Sequence, residues 1–313
     1  MVLAGMGLLA CRKGGAGDIA VSHEEIPEEL LDVPGPPLPD VPMASRPVPA
    51  SGELLPVIGL AVGPAFAQSS GAAKDSAREV LQVLRGAGGR LLDVPAHRPD
   101  AEALLGELST AAGPGRSGFL AARVWTSGRE AGQAQMEQSL GRLRRRRIDL
   151  MQIHELTDFA TQLGTLRRWR VIGHTRYIGA TVSRVADIAT LAQKLPNARL
   201  DFVQVPYSIL VRAAEERLLP VAAEHGVAVL AAQPFAGGRV FATLRQRPLP
   251  EWAAELECTT WSQLLLKWLL AHPAVGCVLP ATHDPRHMLD NTRAGRGPLP
   301  DAAQRRQLAG LFV

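Results

Sequence analysis

From residue 46 onward the chain alternates short, wholly apolar runs with amphipathic ones, and this alternation limits the fold more than any single motif. The apolar runs at 55–60, 90–94, 118–124, 149–154, 176–182, 201–207, 227–232 and 275–279 read as eight strands. Amphipathic stretches at 72–87, 100–112, 129–145, 157–171, 184–195, 212–225, 259–271 and 285–294 read as the helices that follow them, with a last helix at 301–311. A strand that is apolar on both faces must be covered on both, which is the situation of a parallel strand beneath helices. Eight such units in about 260 residues match a closed α/β (β/α)8 (TIM) barrel. A doubly wound open sheet is the alternative, but no glycine-rich fingerprint follows an early strand. Aromatic residues are only 4% of the chain, so Leu, Val, Ile and Ala must fill the core.

Outside the barrel, spanning 46–313, lie two segments of different character. Residues 1–11 are almost wholly apolar and end Leu8-Leu9-Ala10-Cys11, the pattern of a bacterial lipoprotein processing site without its basic leader. Residues 12–45 are rich in Gly, Pro and acidic side chains and show no helix or strand period, which reads as an extended, disordered tether. Two readings stand: an exported protein held at a membrane, or facing the periplasm, through Cys11, or a cytoplasmic one with an apolar tail. The other cysteines, Cys258 and Cys277, make neither a disulfide framework nor a metal signature, and no metal is expected. A net charge of +4 is too small a footprint for a nucleic-acid partner. The basic run 142–147 reads as the solvated last turn of a helix, where cations meet the helix dipole favourably.

In a barrel of this kind the chemistry sits where strands end at the C-terminal face. That rule selects Asp93, Arg123, His154, Thr181, Gln204 and the segment Gln233-Pro234-Phe235. Asp93 and Arg123 come from adjacent strands and are expected to pair, with His154 facing the same cavity.

Several ordered strings then resemble the aldo-keto reductases, in particular an exported bacterial group of that family. They are Arg90-Leu91-Leu92-Asp93, Phe119 to Trp125, Gly128-Arg129-Glu130-Ala131-Gly132 and Ile148 to His154. Further on come Tyr177 to Thr181, Phe202 to Ser208, and Val278-Leu279-Pro280-Ala281-Thr282 followed by Asp290-Asn291. The resemblance implies a small hairpin over 46–53 at the barrel bottom, and hydride transfer from NADP(H), with NAD(H) not excluded, to a small carbonyl compound. It also implies a tetrad of Asp, Tyr, Lys and His. Asp93 and His154 match; Arg98 stands in the Tyr slot and Arg123 in the Lys slot. The implied nucleotide contacts are Thr181, Gln204, Gln233, Phe235, Thr282, His287, Asp290 and Asn291. A guanidinium, with a pKa above about 12, holds its proton too tightly to replace a tyrosine as general acid. Two functions therefore remain: a reductase with an impaired proton relay, or an inactive relative that serves as a binding or regulatory protein.

Overall fold

The computed structural model describes residues 41–63, 66, 71–95, 98–111, 118–245 and 247–312. Cys11 and the tether up to residue 40 lie outside the described residues.

A hairpin comes first: β1 (Ser45–Pro47) and β2 (Leu54–Pro56) pair antiparallel, with Ser45 opposite Pro56. Eight parallel strands follow: β3 (Leu60–Ala61), β4 (Leu91–Asp93), β5 (Phe119–Val124), β6 (Ile148–His154), β7 (Thr175–Thr181), β8 (Phe202–Pro206), β9 (Ala228–Ala232) and β10 (Val275–Leu279). They lie in sequence order around the sheet. The ends meet through an Ile58–Val278 bridge, with the Gly59 amide donating to the Val278 carbonyl at 3.0 Å and the Ala61 amide to Pro280 at 2.9 Å. The first and last strands thus meet, and the sheet forms a nearly closed barrel.

Helices α1 (Gly71–Gly86), α2 (Pro99–Ala111), α3 (Arg129–Arg142), α4 (Phe159–Val171) and α5 (Ile188–Ala198) fill the first crossovers. Then come α6 (Ala213–Glu216), α7 (Leu218–Glu224), α8 (Arg239–Leu244), α9 (Trp261–Leu270), α10 (Pro285–Arg293) and the terminal α11 (Ala302–Gly310).

Four expectations need correction. The strand expected over 55–60 is divided: its first half is the second arm of the hairpin, and only Leu60–Ala61 enters the barrel. The helix expected over 212–225 is broken at Arg217, because Pro220 would press on the carbonyl four residues back. The helix expected over 129–145 stops at Arg142, since Arg144 is left-handed (φ 53°). Helix α8 was not expected; it follows two glycines, Gly237 and Gly238, that obscure its period.

Alternate residues of each strand face the barrel axis. The lower layers are apolar: Leu91, Phe119, Ala121, Leu150, Tyr177, Phe202, Leu230, Cys277 and Leu279 form one cluster with Val48 and Leu55 of the hairpin. The rings of Phe119, Tyr177 and Phe202 pack together: Phe119 stacks on Tyr177 at 5.9 Å between centroids, is tilted against Phe202 at 5.8 Å, and Tyr177 meets Phe202 edge-on at 5.4 Å. The hairpin thus stoppers the bottom, where the Tyr177 hydroxyl donates to Glu53 at 2.7 Å and meets Ser51 at 2.6 Å. With the bottom filled, ligand access is left to the other end.

Candidate active site

At the top of the barrel the inward positions turn polar. Register sets Arg123 beside Gln152, His154 beside Thr181, and Thr181 beside Gln204. Asp93, Arg123, Gln152 and Gln204 are 3%, 9%, 0% and 2% exposed. They form one chain of hydrogen bonds. Arg123 and Gln204 both donate to Oδ2 of Asp93, the latter at 2.8 Å, and Gln152 donates to Oε1 of Gln204 at 2.9 Å. The expected Asp93–Arg123 ion pair is therefore present. Oδ1 of Asp93, Nε of Arg123 and Oε1 of Gln152 are buried without a hydrogen-bond partner among the described residues. Such atoms normally find water or a ligand, and three at one mouth mark the place where one would bind.

Gln152 was not singled out from the sequence. Strict alternation with Leu150 and His154 places it on the inner face, and that signal would have found it. Its room comes from Gly179. A Cβ there would lie 2.8 Å from the Phe202 carbonyl and 3.2 Å from Cγ of Gln152.

Above this layer opens a cleft of about 270 Å³. His154, Thr181, Gln204, Gln233 and Phe235 line it together with Asp93 and Arg123. Phe235 is braced by Phe241, with ring centroids 5.1 Å apart. The Gln204 amide, expected to face a nicotinamide, has its oxygen taken by Gln152 and donates its nitrogen to Asp93.

The remaining expected residues do not line the cleft. Arg98 is half-buried just before α2, where its carbonyl accepts from Glu102 at 3.2 Å. Thr282, His287, Asp290 and Asn291 lie between β10 and α10 or on α10. Asp284 caps α10 by accepting the Arg286 amide at 2.7 Å and pairs with the Arg286 guanidinium at 2.9 Å. Burial would raise the Asp284 carboxyl, but the bonds from Arg286 hold it below the ordinary range. Burial pushes the His287 imidazole down, and its Nε2 stands 3.8 Å from Asp284.

Asp290 ties two helices together. Its carboxylate accepts from Thr260 at 2.8 Å and from Gln263 at 2.6 Å at the start of α9. Burial outweighs these bonds and holds the carboxyl above its usual 3.8. Its contribution to stability is therefore full below that value and is lost as pH rises through the higher folded pKa. Asp290→Asn keeps an acceptor and removes the charge. Urea unfolding at stepped pH should show the variant gaining on the wild type as pH rises from 3.8, then levelling off; a constant difference would show that the carboxyl is not raised.

The loops over His154 are held from α4. Asp158 accepts the Gly128 amide at 2.8 Å, and buried Gln162 donates to the carbonyls of Thr126 (3.0 Å) and Gly128 (2.9 Å). Gly132 makes this possible, since a Cβ there would lie 2.3 Å from Oε1 of Gln162. The Gly-Arg-Glu-Ala-Gly string is thus a docking seam between α3 and α4. Trp125, 46% exposed, sets its ring edge-on to His154 at 5.0 Å.

Neither of the chain's two tyrosines reaches the cleft. Tyr177 is at the barrel bottom; Tyr207 is buried against Glu215 and Arg305, and burial pushes its hydroxyl pKa up. Of the lysines among the described residues, Lys74 pairs with Glu107, Lys194 lies over Phe159, and Lys267 is buried against the Leu256 and Pro298 carbonyls.

Comparison with known proteins agrees with this geometry. The model of the Aldo/keto reductase family matches residues 60–306. An NADH-specific methylglyoxal reductase of Escherichia coli (strain K12) is 26% identical over 172 residues, 47% of this chain and 52% of that protein. The chain thus spans about half the length of that curated relative. An aldo/keto reductase from Klebsiella pneumoniae, solved with NADP and acetate, superposes with a TM-score of 0.74 at 23% identity, covering 87% of this chain and 96% of that one. An aldo-keto reductase from Bacillus halodurans in its holo form gives 0.71 at 22% identity, covering 86% and 96%. At these identities the two structures speak for the fold.

Proposed function

The chain belongs to the aldo/keto reductase family, and we propose that it reduces small carbonyl compounds with a nicotinamide nucleotide through a proton relay altered at Arg98 and Arg123. One observation carries the reading: Asp93, Arg123 and His154 stand in a single cleft at the C-terminal mouth of the barrel, with partnerless polar atoms beneath it. A nicotinamide fits what is there. Phe235 offers a braced ring face, Thr181 and Gln233 offer polar edges, and Leu279 with Ala281 closes an apolar wall. Thr282, Arg286 and His287 around the start of α10, with Asn291 in its last turn, would hold the far end of the nucleotide. The bound nucleotide supplies hydride. Arg123 then steadies the developing alkoxide electrostatically, while Asp93 keeps its guanidinium in place. NADP(H) is the expected partner, and NAD(H) is tested beside it because Asp284 already engages Arg286.

The small cleft favours compact substrates such as 1,2-dicarbonyls. Steady-state oxidation of NADPH or NADH in the presence of a 2-oxoaldehyde tests the reading. Turnover that disappears in His154→Ala supports it, and nucleotide binding with no turnover on any dicarbonyl would refute it. The second reading, a binding protein that turns nothing over, is favoured by the absence of both tyrosines from the cleft and by Arg98 lying off it.

A further inference from the structure

Directly after His154 the backbone enters a conformation that L-residues avoid. Glu155 (φ 51°), Leu156 (φ 55°) and Asp158 (φ 44°) are all left-handed, and none is glycine. Such a cluster persists only when its surroundings fix it, and it marks sites where geometry serves a purpose. The fixing contacts are clear. The Glu155 amide donates to Thr181 at 2.8 Å, the Thr157 amide to His154 at 3.0 Å, and the Asp158 carboxylate accepts from Gly128. The result brings the Glu155 side chain back beside His154. Its Oε1 accepts the Ser183 amide at 2.8 Å and stands 3.8 Å from Nε2 of His154. Its Oε2 is buried without a hydrogen bond.

Among the described residues, Glu155 is the carboxylate within ion-pair range of the imidazole. From β5 comes Arg123 and from β4 Asp93, which neutralise each other. From β7 and β8 come Thr181 and Gln204, and from the loop after β5 the Trp125 ring, all uncharged. Glu155 has no Lys or Arg partner among the described residues. A carboxylate this near favours the protonated imidazole.

We propose that Glu155 is a positioning residue that stabilises the imidazolium of His154, and that His154, in the absence of a tyrosine, is the proton donor to the substrate carbonyl. This rests on the reductase reading given above. In the step, the nicotinamide nucleotide is oxidised and the carbonyl reduced. Hydride adds to the carbonyl carbon, the C=O π pair moves to oxygen, and that oxygen takes the proton from Nε2 of His154. The neutral imidazole recovers a proton from water.

The test follows the His154 ring by NMR titration in the nucleotide-free protein, with His154→Gln to assign its signal. Glu155→Gln is isosteric and keeps the acceptor for Ser183. It should lower the proton affinity of His154 by about tenfold or more, and Glu155→Asp, which draws the carboxylate back, should give a smaller fall. In turnover, the loss of kcat/KM at high pH should begin at lower pH in Glu155→Gln, with nucleotide Kd unchanged. An unchanged His154 titration in a protein that does turn over would overturn this proposal alone. A shifted titration in a protein with no turnover at any pH would overturn the proton-donor role together with the reductase reading.

Discussion

Replacing Arg123 with methionine is expected to cost about 3–5 kcal/mol of folding stability, because it strands a buried carboxylate. Asp93 is more deeply buried than its partner and keeps only the Gln204 amide once the guanidinium is gone. The side chain is only 3% exposed and has little freedom to reach the cleft's water, since β4 fixes it on the barrel's inner face between β3 and β5. The double change Asp93→Leu with Arg123→Met removes both charges and should recover most of the loss, as apolar replacement of a whole buried pair often does. Urea unfolding of the two single variants and the double variant gives the coupling directly. A single-variant cost below about 1 kcal/mol is what a solvated surface pair would give, and it would contradict the buried arrangement described here.

The double change Arg98→Tyr with Arg123→Lys is expected to raise kcat/KM on a dicarbonyl by about 10²–10⁴-fold, the usual worth of a positioned general acid. Arg98 does not line the cleft, but it comes three residues after Pro95, which does, so the reach of a phenol at 98 is what the double variant tests. A phenol there can give up a proton that a guanidinium retains. A lysine at 123 keeps the partner of Asp93 and brings a compact ammonium in place of a planar fork. Each single change is expected to yield much less than the pair, because the hydroxyl and the ammonium act together. Stopped assays with the singles and the double measure this. No gain in the double variant would mean that position 98 does not address the cleft.

The strand ends were legible for a physical reason. Barrel strands are apolar on both faces, so a lone Asp93, Arg123 or His154 at the end of such a run stands out. Gln152 was hidden because it sits inside its run, and only its parity with Leu150 and His154 reveals its direction. Its pocket depends on Gly179, which in the sequence looks like any strand glycine. Glu155 left no signal, because contacts of the loop that follows His154, not a Gly or Asn, hold its left-handed backbone. Arg98 and Asp290 gained their expected roles from the resemblance. The structure sets Arg98 outside the cleft lining and gives Asp290 the start of α9 to hold. The first strand was misread because Pro56 and Leu55 belong to the hairpin stopper, and hydrophobicity alone does not separate a stopper from a strand.

The most direct measurement is a titration of the protein with NADPH and, separately, NADH, followed by tryptophan fluorescence, for which Trp125 beside His154 is a built-in reporter. The expected result is saturable binding of at least one of the two, weakened by Phe235→Ala, which removes a ring from the cleft wall. No binding of either nucleotide at high micromolar concentration would contradict a nicotinamide-binding cleft at this barrel mouth.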